Sequence, residues 1–382
     1  MRLLVISNDV VPGFDVPVAA PGLRAHGLAE GLRSHGIDAR VAAPAHILAS
    51  LPDAATTAPP HTTVVAADHL QQHIVDGGFD VVVFTNANLT PFLEPIPGVR
   101  FVYDLFAPKL LERLASSDAG TTWDEQVAQK ERALALADTV WVNGRRKLGY
   151  AAGWLLRTGV AEWRQRFGKP SLIGSAMLAD VQVVDMPIAL PNELEPSIDR
   201  STPGAVGVAG YAQQWSQLPT VHPAHQAVVD AGLDLHVLVP RHWGAGNAPT
   251  PTSVFPTGAH TIEGPLEFEA FGRWVQSMQT MVDVFTPTDE RYFAMITRTV
   301  VALRLGVPVL HGVDSEVADL ITAANAGWVV TGNNPAEWRR VVDEMRDPDL
   351  LETKRNGALE LTRTRFSPHA ALRDAASHLL DG

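Results

Sequence analysis

Cysteine is absent from all 382 residues, which excludes a disulfide scaffold, a zinc–thiolate or iron–sulfur centre and a thiol nucleophile. No apolar run reaches about 18 residues, so no membrane span is expected. A basic surplus is missing as well: 42 acidic against 30 basic side chains leave a net charge of −12, the wrong sign for neutralising nucleic-acid phosphates. The opening stretch MRLLVISNDVV is interrupted by Ser7, Asn8 and Asp9; no secretory signal is expected, and a cytoplasmic location is. Neither G-x-x-x-x-G-K-[ST] nor G-x-S-x-G occurs. The histidine pairs His69/His73 and His222/His225 have no third ligand at a metal-binding spacing, so no metal site is expected.

What is present is a soluble globular composition, 46% hydrophobic and 19% charged, in a chain long enough for two domains. Leu3–Ile6, a helical pattern from about Gly22 to His35 and Ala39–Ala43 form a strand–helix–strand unit. Further strands are predicted at Val81–Phe84, Phe101–Tyr103 and Thr139–Val142. These runs are continuously apolar, as suits strands covered on both faces. Helices are predicted at 124–137 and 145–158. A stretch of four prolines and several carboxylates, Pro187–Pro203, marks a linker. Alternation then resumes with strands at Ala205–Ala209, Leu235–Val239, Val282–Phe285, Val307–Leu310 and Trp328–Val330, and helices near 222–231, 266–278, 292–305 and 315–325. The expected architecture is α/β: two doubly wound parallel-sheet domains, at 1–190 and 204–366, joined by a linker at 191–203. A last helical segment, 367–382, is too short for a core of its own and is expected to pack across something already folded.

Ligands of such open sheets lie beyond the carboxyl ends of the strands, and between two domains if there are two. Four places qualify. At the first helix start, Gly22 lets a ligand approach the backbone and Arg24 supplies charge; without a G-x-G-x-x-G pattern, a plain helix start with a solvated Arg is the stronger reading on spacing alone. After Val282–Phe285 comes Thr286-Pro287-Thr288-Asp289-Glu290, then Thr297, Arg298 and Thr299. Glu290 and Arg298, eight residues apart, are expected on one helix face, the carboxylate suited to sugar hydroxyls and the guanidinium to a diphosphate. Capping by Thr288 or Asp289 with a surface Arg is the alternative. Third, Gly210 and Tyr211 form a glycine-bearing strand exit able to cradle a phosphate, or merely to turn the chain. Fourth are N-terminal strand ends: Asn86 and Asn88, Asp104, and Asn143-Gly144-Arg145-Arg146-Lys147, whose basic triplet opposes the helix dipole and suits a bound anion, with a solvated face as the slightly stronger reading.

Three segments carry a resemblance. APGLRAHGLAEGLRSHG within 11–44, ADTVWVNGRRK at 137–147, and ALRLGVPVL at 302–310 followed by 314–321 and Gly327–Val330 are similar to family 4 glycosyltransferases of the GT-B type. The likeness spans nearly the whole chain. It implies two facing Rossmann-like domains, the second holding a nucleoside-diphosphate sugar, and a terminal helix crossing back to the first. The family's two Glu, separated by seven residues, fall at Phe293 and Val301 here. The pattern Glu290, Thr297, Arg298, Gly306 and Pro308 resembles a bacterial branch instead. Gln213, Gln214 and Trp215 replace an Arg/Lys pair, leaving Arg241 or Arg298 to face the diphosphate.

On this resemblance the chain is expected to move a sugar from a nucleoside diphosphate to a glycan, lipid-linked or small-molecule acceptor, with configuration retained and no metal or other cofactor. Arg298 would stabilise the leaving group, and Thr297, Thr299, Glu290, Gly210, Tyr211 and Arg241 would bind the donor. Gly22 and Arg24 would lie at the substrate, and Asp104 or His26 would act as base if configuration inverts. Peripheral membrane contact is an expected partner interaction and nucleic acid is not. A catalytically silent subunit that binds a sugar nucleotide or partner, and a nucleotide-sugar epimerase, are the alternatives.

Overall fold

The computed structural model describes residues 1–51, 54–114, 122–170, 180–196, 201–210, 220–239, 252–285, 287–331 and 334–381. Two compact units emerge: Met1–Ala189 with Ser367–Gly382, and Leu190–Phe366. Among the described residues no helix is long and apolar enough to cross a membrane.

The N-terminal unit is built on strands β1 (Arg2–Ile6), β2 (Asp38–Pro44), β3 (Thr62–Val65), β4 (Val81–Phe84), β5 (Arg100–Leu105), β6 (Thr139–Val142) and β7 (Val181–Val183). All pair in parallel, in the order β3-β2-β1-β4-β5-β6-β7. Between them run α1 (Ala20–Ser34), α2 (Ala45–Leu48), α3 (Leu70–Gly77), α4 (Lys109–Leu114), α5 (Trp123–Leu136), α6 (Lys147–Leu155) and α7 (Thr158–Arg166). Every residue of β4 is buried, as helices on both faces require. The start of α5 is fixed by a capping box, in which Thr122 accepts from the Glu125 amide while Glu125 accepts from the Thr122 amide.

In the second unit the strands are β8 (Ala205–Val208), β9 (Asp234–Val239), β10 (His260–Glu263), β11 (Thr280–Asp283), β12 (Val309–Gly312) and β13 (Gly327–Val330). They too are parallel, ordered β10-β9-β8-β11-β12-β13. The helices are α8 (Pro223–Asp230), α9 (Phe268–Gln276), α10 (Asp289–Phe293), α11 (Thr297–Arg304), α12 (Glu316–Ala324), α13 (Pro335–Glu344) and α14 (Pro348–Leu361). The last helix, α15 (Pro368–Asp381), belongs to the first unit. It packs on α1 where Gly31 leaves no room for a side chain: a Cβ there would lie 2.5 Å from the Pro368 carbonyl oxygen and 2.7 Å from Leu372.

Two differences from the sequence-based expectation bear on function. The predicted helix at 292–305 is two helices, because Ala294, Met295 and Ile296 are drawn into the core (8%, 3% and 8% exposed) and tertiary burial overrides helix continuity. Strand β11 ends at Asp283 rather than Phe285, which turns a residue read as strand interior into a strand-end residue.

Candidate functional site

In each sheet the chain first winds outward in one direction and then returns to continue in the other. The reversal falls between β1 and β4 in the first unit and between β8 and β11 in the second. Ligands of open α/β sheets settle beyond the carboxyl ends of the strands at such a reversal. In the second unit those two strands run out into Ala209-Gly210 and into Asp283-Val284-Phe285.

A group of polar side chains gathers there. Asp283 is 2% exposed. Its Oδ1 accepts from Arg298 Nε at 3.0 Å and Nη2 at 2.8 Å, while Arg291 Nη2 stands 3.7 Å from the same oxygen. Oδ2 accepts from Thr299 Oγ1 and lies 3.3 Å from His311 Nδ1. The His311 Nε2 is 2.7 Å from Ser315 Oγ. Burial disfavours ionisation of Asp283, but Arg298, Arg291 and the His311 hydrogen bond outweigh it and hold the carboxyl well below its ordinary range. Burial pushes His311 the other way, below the ordinary imidazole value, so the ring is neutral at pH 7.

The two arginines are underused. Both guanidiniums lie over the Phe285 ring, at 4.1 Å for Arg298 and 5.2 Å for Arg291. Arg298 is one-fifth exposed, and its Nη1 makes no hydrogen bond among the described residues. Arg291 is 1% exposed, and its Nε and Nη2 have no hydrogen-bond partner among the described residues. Burial depresses its pKa, against the weaker pull of Asp283, Glu290 and Asp314. Burying a cation without acceptors is costly; a ligand that brings acceptors would remove the cost. Gly210 adjoins this group, since a Cβ on it would lie 3.0 Å from Arg298 Nη1. Helix α11 begins beside it with no side-chain cap, and such a start favours an anion.

Arg298, Thr299 and Gly210 are thus brought together, with Thr297 at the head of α11. Thr299 itself is buried against Asp283 and presents nothing outward. Glu290 sits on α10, so the expectation that it shares a helix face with Arg298 is incorrect; the break at Ala294–Ile296 separates them. Tyr211, Arg241, Thr286 and the segment Gln213–Trp215 lie outside the described residues. Asp283, Arg291, His311 and Ser315 were not singled out from sequence.

The first unit corrects three expectations. Asp104 lies within β5 and, like Arg24, is 0% exposed. Arg24 grips it through Nε at 3.0 Å and Nη2 at 2.7 Å, and gives Nη1 to the Val184 and Asp185 carbonyls. With every nitrogen of Arg24 engaged, the pair joins α1 to β5 and to the chain beyond β7; neither member is placed to meet a substrate. Gly22 admits the chain itself rather than a ligand, for a Cβ would fall 1.7 Å from the Val10 carbonyl oxygen. His26 is partly buried, and its pKa is lowered to about 4, chiefly by burial, so it is neutral at pH 7. Of the basic triplet, Lys147 is fully buried and donates to the Phe106 carbonyl at 2.8 Å and to Asn143 Oδ1. Among the described residues no three His, Asp or Glu side chains converge as a metal site.

No protein-family model and no curated protein matches the chain in sequence. Solved structures do match in shape. One is the sucrose-phosphate synthase of Thermosynechococcus elongatus, with TM-score 0.65 and 12% identity over 100% of this chain and 98% of that one. An α-glucosyltransferase in complex with UDP gives 0.65 and 10%, over 100% of both chains. Anabaena HepE in complex with UDP and glucose gives 0.60 and 12%, also over 100% of both. Two all-parallel α/β units with this strand order have the fold of the GT-B glycosyltransferases.

Proposed function

We propose that the chain is a glycosyltransferase drawing on a nucleoside-diphosphate sugar, with the diphosphate held at the carboxyl ends of β8 and β11. One observation carries the reading. Arg298 and Arg291 share a single carboxylate oxygen on Asp283, and three of their nitrogens have no hydrogen-bond partner among the described residues. A pyrophosphate has the charge and the acceptor oxygens to satisfy them, and a guanidinium fork matches its geometry.

In sugar transfer the leaving group is the nucleoside diphosphate, so charge grows on the β-phosphate as the glycosidic bond breaks. Interactions that strengthen with that charge lower the barrier. Arg298 and Arg291 are fixed in advance by Asp283 and Phe285, so little reorganisation is needed when the charge appears. The uncapped amides at the head of α11 add dipolar stabilisation. Glu290, next to Arg291 in α10, takes donor hydroxyls, and the N-terminal unit takes the acceptor. Retention of configuration needs no dedicated base. If configuration inverts, His26 remains a candidate, being neutral at pH 7, whereas Asp104 is sealed in its ion pair. The acceptor is a glycan, lipid-linked or small molecule.

UDP, GDP, TDP and ADP sugars offered to the purified protein test the reading, beginning with UDP because similar folds were crystallised with it. Hydrolysis of the donor or transfer of its sugar supports an enzyme of this kind. Binding without turnover points to a silent subunit, and conversion of the donor to its isomer points to an epimerase. No binding to any of the four contradicts the reading.

A further inference from the structure

Asp283, His311 and Ser315 form a linear chain: carboxylate to Nδ1 at 3.3 Å, Nε2 to hydroxyl at 2.7 Å. Aspartate, histidine and serine in that sequence of contacts are the constellation of a nucleophilic hydrolase. Here Ser315 and His311 are both 0% exposed, so the hydroxyl cannot meet a substrate. The chain must serve something other than nucleophilic attack.

Its chemistry is directional. Asp283 is ionised and can only accept, so the His311 proton sits on Nδ1 and Nε2 is left as an acceptor. Ser315 therefore donates its O–H to Nε2. This accounts for a local anomaly: Ser315 occupies the N-cap position of α12, a favoured place for serine, yet its side chain makes no cap bond to that helix. The hydroxyl is committed to the imidazole. At the other end, His311 and Thr299 both engage Asp283 Oδ2, which leaves Oδ1 to face Arg298 and Arg291.

We propose that His311 is a positioning residue for the anion site: by pinning Asp283 Oδ2 while tied to the head of α12, it fixes the plane of the carboxylate that aims Arg298. The inference rests on the functional reading above and names a residue that acts on the ligand only through Asp283 and Arg298. Without His311 only the rotatable Thr299 hydroxyl holds Oδ2, so the carboxylate gains freedom about its Cβ–Cγ bond and Arg298 loses its fixed direction without losing its charge.

Two substitutions and one spectrum test this. Asn at 311 offers an amide N–H where Nδ1–H stood, keeping the hold on Asp283 and giving up Ser315. Leu at 311 gives up both. UDP affinity measured by calorimetry on folded protein is expected to stay within about threefold of the parent for His311→Asn and to weaken at least about fivefold for His311→Leu, a difference of ~1 kcal/mol. A purely structural histidine would lower the melting temperature in both variants and leave their UDP affinity alike. Should the Leu variant not fold, nitrogen-15 spectra of the parent decide. They should show a neutral His311 carrying its proton on Nδ1, the minority tautomer of a free histidine side chain, with resonances that shift when UDP saturates the site. A proton on Nε2, resonances unmoved by UDP, or His311→Leu binding UDP as the parent does would each overturn the inference alone. A parent that binds no nucleoside diphosphate overturns the functional reading and this inference with it.

Discussion

Each unit buries an Arg–Asp pair, and the two pairs differ in one respect that separates scaffold from site. In the first, Arg24 gives two nitrogens to Asp104 and the third to two backbone carbonyls, with both side chains at zero exposure. Nothing is left for a ligand. In the second, Arg298 gives two nitrogens to one oxygen of Asp283 and, among the described residues, keeps Nη1 unbonded, while two nitrogens of the buried Arg291 have no hydrogen-bond partner there. Position matters as well: Asp283 ends a strand at the reversal point of its sheet, whereas Asp104 lies inside a strand one place further out. A saturated ion pair holds a fold together; an unsaturated one at a sheet's reversal point is poised for an anion.

The largest effects should come from breaking either pair on its acidic side. Asp104→Ala and Asp283→Ala each strand buried guanidinium charge, and each should cost about 3–5 kcal/mol. Denaturant unfolding followed by hydrogen exchange should place the loss in β4 and β5 for the first and in β11 and β12 for the second. A loss spread over both units would contradict the division.

Smaller and more telling is the basic side. Arg298→Ala removes a partly exposed cation and should weaken UDP binding at least about tenfold, from ~1.5–3 kcal/mol per charged hydrogen bond, with a smaller loss of melting temperature than Arg24→Ala, because Thr299, His311 and Arg291 still face Asp283. Arg24→Ala should do the reverse, lowering stability while protein that remains folded binds UDP normally. Calorimetry paired with thermal melts reads both. The comparison fails if the two variants behave alike.

Acid separates the units more gently. In the second, burial lowers His222 to about 4 and His225 to about 3, and both ring nitrogens of His225 lack a hydrogen-bond partner among the described residues. For such groups the unfolded chain binds protons first, so the stability they lend is complete above about pH 6.5 and drains away as pH falls toward 3–4. In the first unit burial lowers His26 and His73 in the same sense, but another group there has the opposite sign. Burial raises Asp9 to about 6, so its folded form takes up a proton before the unfolded chain does, and stability increases as pH drops from 6 toward 3.8. Between pH 6 and 4 the amides of β11 and β12 should lose exchange protection faster than those of β1 and β4. Equal loss would remove this distinction.

How much of this could be read from the chain follows from where each signal lies. The strands buried on both faces were legible as unbroken apolar runs, and β4 and β6 fall at their expected residues. The edge strands β3, β7 and β10 were not. TTVV and VQV are short and half exposed, and pairing with a neighbour, which sequence does not display, makes them strands. Arg298 is legible in sequence because it follows a strand exit with Glu290 and falls in the Glu290, Thr297, Arg298, Gly306, Pro308 pattern. Its partner, Asp283, was hidden inside a run read as continuous strand to Phe285, and His311 was passed over because its strand was ended at Leu310. Asp104 and Arg24 looked functional for a related reason: sequence shows that a charge sits at a strand or helix end, but not whether another part of the chain, here residues 184–185, already satisfies it.

Arg291 offers the most direct test of the central claim. Its Nε and Nη2 are buried without a hydrogen-bond partner among the described residues, and Nη2 only approaches Asp283, at 3.7 Å, so the burial of this cation is poorly offset in the ligand-free protein. Arg291→Met, of similar length and no charge, should melt at or above the temperature of the parent and bind UDP at least about tenfold more weakly. A variant that melts well below the parent and binds UDP unchanged would show that Arg291 is a structural cation and that the diphosphate, if bound at all, lies elsewhere.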